Sequence, residues 1–439
     1  MTSPALWMFP VLLAAIFAGV PVAFALMSVA FVFGLAHFGA GASTLFVHKL
    51  QDIASSHILA AAPLFIFMGA MLERSGIAER LFEAIHLWTR RLPGGLALGT
   101  IVMCVVFAAS SGVVGATESV VGMLAVPVML RHGYDKGLIS GTICAGGSLG
   151  SIIPPSVLVV ILATIADLGI GELFAAMLFS GLILAGLYLL YILGRAALQP
   201  AVAPPMPAAE FGGALRHRLW FTLTAFVPPL ALITAVLGSI FLAVAVPTEA
   251  AALGAVGSLV LTVLYRRFSF AVLRETLIRT ISITSMILTI VVGGTMFAGV
   301  FAGAGGLKAV ELLIAEAELG PWGTLTLILL LTFLAGFVMD LISIMLVLLP
   351  IALPLVTGFG FDPVWFCIGL LIMMQTSLLT PPMAGAIFYF RAIAPPEITL
   401  RHMYKGVVPF IMLHFVVLAL VLAFPGLALW LPAELLCFD

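Results

Sequence analysis

Two short segments combine a Pro-Pro pair with hydroxyl, amide and glycine residues inside otherwise apolar sequence. The first reads GGSLGSIIPPS at 146–156 and the second reads QTSLLTPPM at 375–383. Proline has no backbone N–H, so a Pro-Pro pair in a membrane helix leaves backbone carbonyls without their usual donors. Lipid cannot satisfy these carbonyls, so they must face protein, water or an ion. The alternative for either segment is a simple proline kink without a ligand.

Two further segments place Ser, Gly or Asp in the middle of a long apolar stretch. Ser-Ser-Gly at 110–112 lies within 95–131, and Gly-Phe-Val-Met-Asp at 336–340 lies within 322–357. Each stretch is too long for one ordinary span of roughly 20 residues. We therefore predict two re-entrant hairpins with these residues at their tips. Oxygens from a tip and a broken helix can together coordinate a hard cation, as unwound carbonyls and helix ends coordinate Na⁺ in transporters.

Three carboxylates lie deep in hydrophobic sequence, namely Glu118, Glu249 and Asp340. An ionisable residue in such a place is a candidate for function. Asp340 lies at a predicted tip, which favours a role near the ion or substrate, whereas helix capping is the stronger explanation for Glu118 and Glu249. No Ser/His/Asp set, phosphate loop, redox motif or metal-ligand spacing is visible, so we do not predict an enzyme.

The composition indicates an all-α integral membrane protein. Of 439 residues, 63% are hydrophobic and only 8% are charged, whereas a soluble domain carries about 25% charged residues. The four cysteines are scattered and are interpreted as apolar residues. The first basic residue is Lys49, so 3–19 lacks the positive region of a signal peptide and is predicted to be a retained span. Ten crossings are predicted near 3–19, 20–37, 57–73, 136–166, 171–194, 220–244, 248–265, 281–303, 362–392 and 406–430.

An internal repeat organises these elements. Its members share one offset of 227 positions, as from Pro127 to Pro354. The matched pairs are Pro127 with Pro354, Gly133 with Gly360, Asp135 with Asp362, Pro154 with Pro381, and Pro155 with Pro382. Five predicted crossings separate the two aspartates, so the halves have opposite orientation, as in secondary transporters with broken helices and a midplane site. We predict repeats at 1–194 and 219–439, joined by a cytoplasmic linker at 195–218.

The basic residues orient the chain in the membrane. The linker carries Arg195, Arg216 and Arg218, and a second basic cluster lies at 266–279. Both are expected inside, because cytoplasmic loops are enriched in Lys and Arg. A rival topology makes 95–131 and 322–357 spanning and the two Pro-Pro segments re-entrant. It places more basic residues outside, so charge favours the first arrangement.

Nearly the whole chain resembles the large membrane subunit of the tripartite ATP-independent periplasmic (TRAP) transporters. The shared motifs are specific in combination, and details such as QTSLLTPP at 375–382 resemble the branch often labelled mannitol/chloroaromatic. The family motifs are GVP at 19–21, GATESVVGMLAVPVM at 115–129, GYD at 133–135, GSLGSIIPPS at 147–156, PTEAA at 247–251 and TPP at 380–382, and FYFRAIAP at 388–395 is a further detail of the branch.

The resemblance implies a sodium-driven elevator-type transporter in the bacterial inner membrane. It implies a periplasmic solute-binding protein and a small four-helix membrane subunit as partners, and a small organic anion such as a 2-oxo or 2-hydroxy acid as solute. No nucleic-acid partner is expected. Carried over from the family, the first sodium site has Ser111, Gly112, Gly150, Ile153 and Pro155, and the second has Gly336, Ser377, Thr380 and Met383. Ser110, Ser156, Asp340 and Gln375 are expected near the ion or substrate.

One position departs from the family pattern. Many members have Ser-Gly-Ser at the first tip, and this chain has Val113 in place of the second serine. Either a backbone carbonyl or Ser110 would then take the place of the missing hydroxyl.

Two other functions compete with this interpretation. A stand-alone sodium/dicarboxylate carrier of similar fold would transport without a binding protein. A proton-pumping respiratory subunit would need a chain of Lys, Glu and His through the membrane, which this sequence lacks.

Overall fold

The computed structural model describes residues 4–89, 92–112, 115–205, 215–382 and 384–436, and these residues form helices without a β-strand. Short 3₁₀ turns occur at Pro4–Trp7 and Leu149–Ser151. The α-helices are α1 Met8–Phe17, α2 Val22–Phe38, α3 Gly41–Ala54, α4 Ala61–Arg74, α5 Ile77–Thr89, α6 Gly95–Ser111, α7 Ala116–Arg131, α8 Lys136–Ser148, α9 Val157–Ala166, α10 Ile170–Leu198, α11 Leu215–Phe241, α12 Pro247–Leu264, α13 Phe270–Gly303, α14 Gly306–Glu316, α15 Pro321–Ala335, α16 Leu341–Gly358, α17 Pro363–Leu379, α18 Gly385–Ile393, α19 Leu400–Ala423 and α20 Gly426–Leu436.

Six helices in the described part of the chain are long and apolar enough to cross a membrane: α10, α11, α12, α13, α16 and α19. The bent pair α4 and α5, with 63° between its helices, would add a seventh. The predicted crossings at 3–19, 20–37 and 57–73 coincide with the shorter helices α1, α2 and α4. Those at 136–166 and 362–392 are each divided into two helices, as expected for broken helices.

Both predicted hairpins form as pairs of packed helices. Helices α6 and α7 pack together, as do α15 and α16. Helix α6 ends at Ser111, beside the predicted tip residue Gly112, and the second interruption spans 336–340, where the sequence places Gly336 and Asp340. Helix α16 is by length and composition able to cross a membrane by itself, so the re-entrant course of this hairpin stays a prediction.

The repeat is visible in matching turns before the two broken helices. Gly133 and Gly360 have φ of +73° and +85°, a left-handed conformation that glycine adopts without steric cost. Asp135 and Asp362 then cap their helices by accepting hydrogen bonds from the N–H groups of Leu138 and Trp365, both at 2.9 Å. The two Gly-aromatic-Asp motifs thus build the same turn and helix start.

Contacts between the halves also follow the repeat. At the offset of the repeat, α2 corresponds to α12 and α4 corresponds to α13. Helix α2 packs on α13, and α4 packs on α12, so each contact has its counterpart with the halves exchanged. In the same way α7 corresponds to α16 and α9 corresponds to α18. Helix α7 packs on α18, and α16 packs on α9. The orientation of one half against the other in the bilayer stays a prediction.

The predicted linker is shorter than its sequence suggested. Helix α10 continues to Leu198 and α11 begins at Leu215, so both ends of 195–218 are helical. The residues after α10 pack at the base of the first hairpin, where the carbonyl of Ala203 accepts a hydrogen bond from the Gly94 N–H at 3.1 Å. Ala203 is fully buried. The middle of the linker lies outside the described residues.

Candidate solute and cation site

The first hairpin tip lies directly against the first broken helix. Helix α8 ends at Ser148, a 3₁₀ turn follows, and α9 begins at Val157. The Val157 N–H donates to the carbonyl of Gly112 at 3.3 Å. A Cβ at Gly112, where φ is +59°, would lie 2.6 Å from the carbonyl oxygen of Pro155. Only glycine allows this approach, which brings together two residues predicted for the first cation site.

The second tip meets the second broken helix in the same way. A Cβ at Gly336 would lie 2.0 Å from the Ser377 Oγ. The Ser377 hydroxyl donates to the Met374 carbonyl at 2.6 Å, and the Thr380 hydroxyl donates to the Thr376 carbonyl at 2.7 Å. Each hydroxyl oxygen keeps acceptor lone pairs after donating its proton. The structure therefore places Gly336 against Ser377, and the Thr380 N–H donates to the Ser377 carbonyl at 3.0 Å. The binding of a cation by these residues stays a prediction.

The two broken helices are joined by a hydrogen bond between buried side chains. The Gln375 Nε2 donates to the Ser151 Oγ at 2.8 Å. The Gln375 Oε1 and the Ser156 Oγ are also buried, and neither has a hydrogen-bond partner among the described residues. A buried oxygen without a partner costs about 1–3 kcal/mol. Two such oxygens beside the breaks fit a site that receives a ligand.

A cavity of about 320 Å³ lies where both tips and both breaks meet. Gly112, Ser151, Gly336 and Ser377 all line it. Helix α13 closes one side with apolar residues of its middle turns. The cavity is therefore shared by both repeats, as a midplane solute site requires.

Asp340 both lines this cavity and caps α16. Its carboxylate accepts hydrogen bonds from the N–H groups of Ile342 and Ser343 at 3.1 and 3.3 Å, and from the Ser343 hydroxyl. Capping of α16 leaves Asp340 at the wall of the cavity, and its contact with the ion or solute stays a prediction.

Glu118 and Glu249 make the capping contacts that the sequence favoured for them. Glu118 accepts from the Gly115 N–H at 2.8 Å, and Glu249 accepts from the Val246 N–H at 3.1 Å. Glu118 is fully buried. A Cβ at Gly147 would lie 2.2 Å from its Cγ, so a glycine in α8 makes room for this side chain.

For Gly150 and Ile153, two of the remaining predicted site residues, the structure gives the local backbone position. Gly150 lies in the 3₁₀ turn, and the Ile153 N–H donates to the Leu149 carbonyl at 2.9 Å. Met383 and the side chains of Ser110 and Ser111 lie outside the described residues.

Sequence reasoning missed several residues of the cavity. Ser151 and Tyr389 line the cavity. Both lie inside motifs singled out from the sequence, but nothing in those motifs marked these two side chains as part of the site. Ile283, Met286 and Ile287 of α13 also line it. These apolar residues resemble any other lipid-facing or core positions in the sequence and gave no signal.

The fold is that of an all-α, multi-pass membrane protein. Two solved structures share the fold. The YdaH transporter of Alcanivorax borkumensis aligns with a TM-score of 0.65 at 17% identity, over 98% of this chain and 99% of that one. MtrF of Neisseria gonorrhoeae aligns with a TM-score of 0.58 at 13% identity, over 90% and 85%.

The chain belongs to a specific transporter family, the DctM component of the tripartite ATP-independent periplasmic transporters, whose pattern matches residues 9–427. It is 32% identical to the C4-dicarboxylate TRAP transporter large permease protein DctM of Pseudomonas aeruginosa, over 88% of each chain. It is 31% identical to the ectoine/5-hydroxyectoine large permease protein UehC of Ruegeria pomeroyi, over 94% of this chain and 95% of that one. These relatives are permease subunits and not enzymes, as predicted.

Family membership confirms the resemblance and the inner-membrane location. Large permeases of this family work with a small membrane subunit and a periplasmic binding protein. The mannitol/chloroaromatic branch stays a prediction.

Proposed function

We propose that this chain is the large permease of a sodium-driven TRAP system that imports a small organic anion by an elevator movement. The observation that carries the proposal is the convergence of both hairpin tips and both broken helices on one cavity. Chain breaks of this kind supply cation ligands and solute contacts near the midplane of secondary transporters.

Sodium suits the oxygens around the breaks. The groups beside each tip are carbonyls, hydroxyls and an amide, and they include the buried, unpartnered Ser156 Oγ and Gln375 Oε1. Hard cations prefer oxygen ligands. Sodium is here a transported ion that moves with the solute. The ligands would be Gly112, Pro155 and their neighbours at one break, and Gly336, Ser377 and Thr380 at the other.

Helix dipoles favour an anionic solute. The cavity is lined by the first residues of three helices: Val157 of α9, Leu341 of α16 and Gly385 of α18. A helix N-terminus carries a partial positive charge, which favours carboxylates. At α16 the Asp340 carboxylate already offsets this charge, so the N-termini of α9 and α18 carry the argument. Relatives are named for C4-dicarboxylates, ectoine and sialic acid, all of which carry a carboxylate. We therefore propose a carboxylate, such as a 2-oxo or 2-hydroxy acid.

The division of the fold supports an elevator movement. Helices α2 and α4 of the first half pack on α13 and α12 of the second, and we call these four helices the scaffold. The tips and the breaks belong to other helices. A body that holds both breaks can slide along α13 and expose one site alternately on either side. The small subunit would stiffen the scaffold, and the binding protein would deliver the solute.

Thermal unfolding of the purified chain tests the cation site before any solute is known. A ligand that binds only the folded state stabilises it by about 2.7 kcal/mol at a hundred times its Kd. We expect a higher Tm in NaCl than in KCl or choline chloride at equal ionic strength. Equal Tm values in the three salts would count against a sodium site.

A further inference from the structure

A second cavity, of about 440 Å³, lies between α3, α9, α13 and α16. Its walls are mostly aliphatic, and Lys49 of α3 is the cationic side chain that lines it. Asp52, one turn further along α3, also lines it. None of these residues was assigned to the first cavity.

The two cavities adjoin each other along α13. Ile283 and Ile287 line the first cavity, and Val291, Thr295 and Gly299 line the second. Successive members of this series lie about one helical turn apart and about 40° round the helix, so Ile287 of the first cavity and Val291 of the second are neighbours on α13. The second cavity therefore continues the first along α13.

Helix α9 forms the opposite wall of both cavities. Val157 and Leu158, beside the break, line the first cavity, and Ile161, Thr164 and Ile165 line the second. The second cavity thus lies toward the end of α9 that is remote from the break. In the predicted topology this end, like Lys49, faces the periplasm.

The position of Lys49 suits an exchangeable anion contact. A Cβ at Gly299 would lie 3.4 Å from the Lys49 Cε, so the lysine stem packs on α13. Its Nζ lies 3.7 Å from the Asp52 carboxylate, and 38% of the Lys49 side chain and 69% of the Asp52 side chain are exposed. Such an exposed pair contributes little stability, so an arriving carboxylate can replace Asp52 as partner of Lys49.

We infer that this cavity is an entry site for a small organic anion, in which Lys49 binds the carboxylate before the solute reaches the cavity between the tips. The inference rests on the proposed function. The aliphatic residues Ile53, Leu59 and Ile165 would contact the carbon skeleton of the solute. The site thus recognises a negative charge on a partly apolar molecule.

Cysteine reactivity measures the charge of this cavity without a known solute. The four native cysteines are changed to alanine, and Thr295 is then replaced by cysteine. The full chain in lipid nanodiscs is treated separately with an anionic and with a cationic methanethiosulfonate of similar size. The quantity compared is the ratio of the anionic to the cationic rate constant. Lys49→Gln should lower this ratio about three- to tenfold, the effect of one unit charge at short range in water.

Matched variants separate the charge of Lys49 from other effects. Lys49→Arg should keep the ratio, and Asp52→Asn should raise it. A cysteine at the exposed Thr357, which lies on α16 and does not line the cavity, should show no change with Lys49→Gln. An unchanged ratio at Thr295→Cys, or the same change at Thr357→Cys, would overturn the entry site. Sodium-dependent uptake that persists alongside such a result would leave the proposed function intact.

Discussion

The Gln375 Nε2 donates a hydrogen bond to the Ser151 Oγ at 2.8 Å, which links the two broken helices across the repeat. Gln375 lies on α17 of the second half, and Ser151 lies in the turn after α8 of the first. Both side chains are buried. The bond joins the two breaks, so we expect them to behave as one unit.

A double-mutant cycle should detect this coupling. Gln375→Met keeps the volume and removes the amide, and Ser151→Ala removes the acceptor. Because each change already breaks the shared bond, the double variant should lose less stability than the sum of the single losses, with a coupling of about 0.5–1.5 kcal/mol. Chemical denaturation in detergent measures it. Additive losses would show that the bond contributes nothing.

Thr380→Val should impair sodium binding more than folding. The change keeps the shape and removes a hydroxyl beside the second break, and the loss of one polar ligand costs about 1–3 kcal/mol. Half-saturation of uptake should then require roughly tenfold more Na⁺. Thr376→Val is the matched control, because Thr376 makes the same kind of hydroxyl bond, to the Ile372 carbonyl at 2.8 Å, one turn earlier. An equal effect of both variants on the Na⁺ requirement would contradict the role of Thr380.

Gly112→Ala should abolish transport by displacing the first tip. The added Cβ would lie 2.6 Å from the Pro155 oxygen, and the residue has φ of +59°. Gly133→Ala separates these effects, since Gly133 has φ of +73° and nothing within 4 Å of the added Cβ. In Gly133→Ala the free energy of unfolding should fall only by the cost of a left-handed alanine, roughly 1–2 kcal/mol. Uptake normalised to folded protein should fall strongly for Gly112→Ala alone, and similar uptake by the two variants would refute the contact.

Cysteines at the equivalent positions Arg131 and Gly358 should label from opposite sides of the membrane. Both are exposed and lie at the last residues of α7 and α16. In a background without native cysteines, an impermeant thiol reagent should reach Arg131→Cys from the cytoplasm and Gly358→Cys from outside. Labelling of both from one side would contradict the inverted repeat. Labelling with the sides exchanged would favour the rival topology.

The sequence predicted those parts of the fold that depend on local chemistry. Glycines at both tips allow the predicted contact with the breaks, because this role belongs to one residue type. The repeat marked Asp135 and Asp362 as equivalent positions, and the structure adds that both cap helices after positive-φ glycines. Exact span lengths were less predictable. Helix α10 runs to Leu198 through Arg195, because a basic side chain at a helix end does not stop the helix.

Contacts between distant segments could not be predicted. Nothing in the sequence pairs Gln375 with Ser151, because either side chain could bond within its own helix. The place that Gly147 leaves for Glu118 depends on how α7 packs on α8. The cavity wall at Ile283 and Ile287 has the composition of any membrane helix, so only the packed structure distinguishes it.

Uptake by proteoliposomes that contain the large permease, its small subunit and its binding protein tests sodium coupling most directly. The measurement compares accumulation of labelled carboxylate under an inward Na⁺ gradient with accumulation under a pH gradient at equal Na⁺. The account predicts accumulation with the Na⁺ gradient, strong loss with Thr380→Val at limiting Na⁺, and no accumulation with the pH gradient alone. Equal accumulation under the pH gradient alone would contradict it.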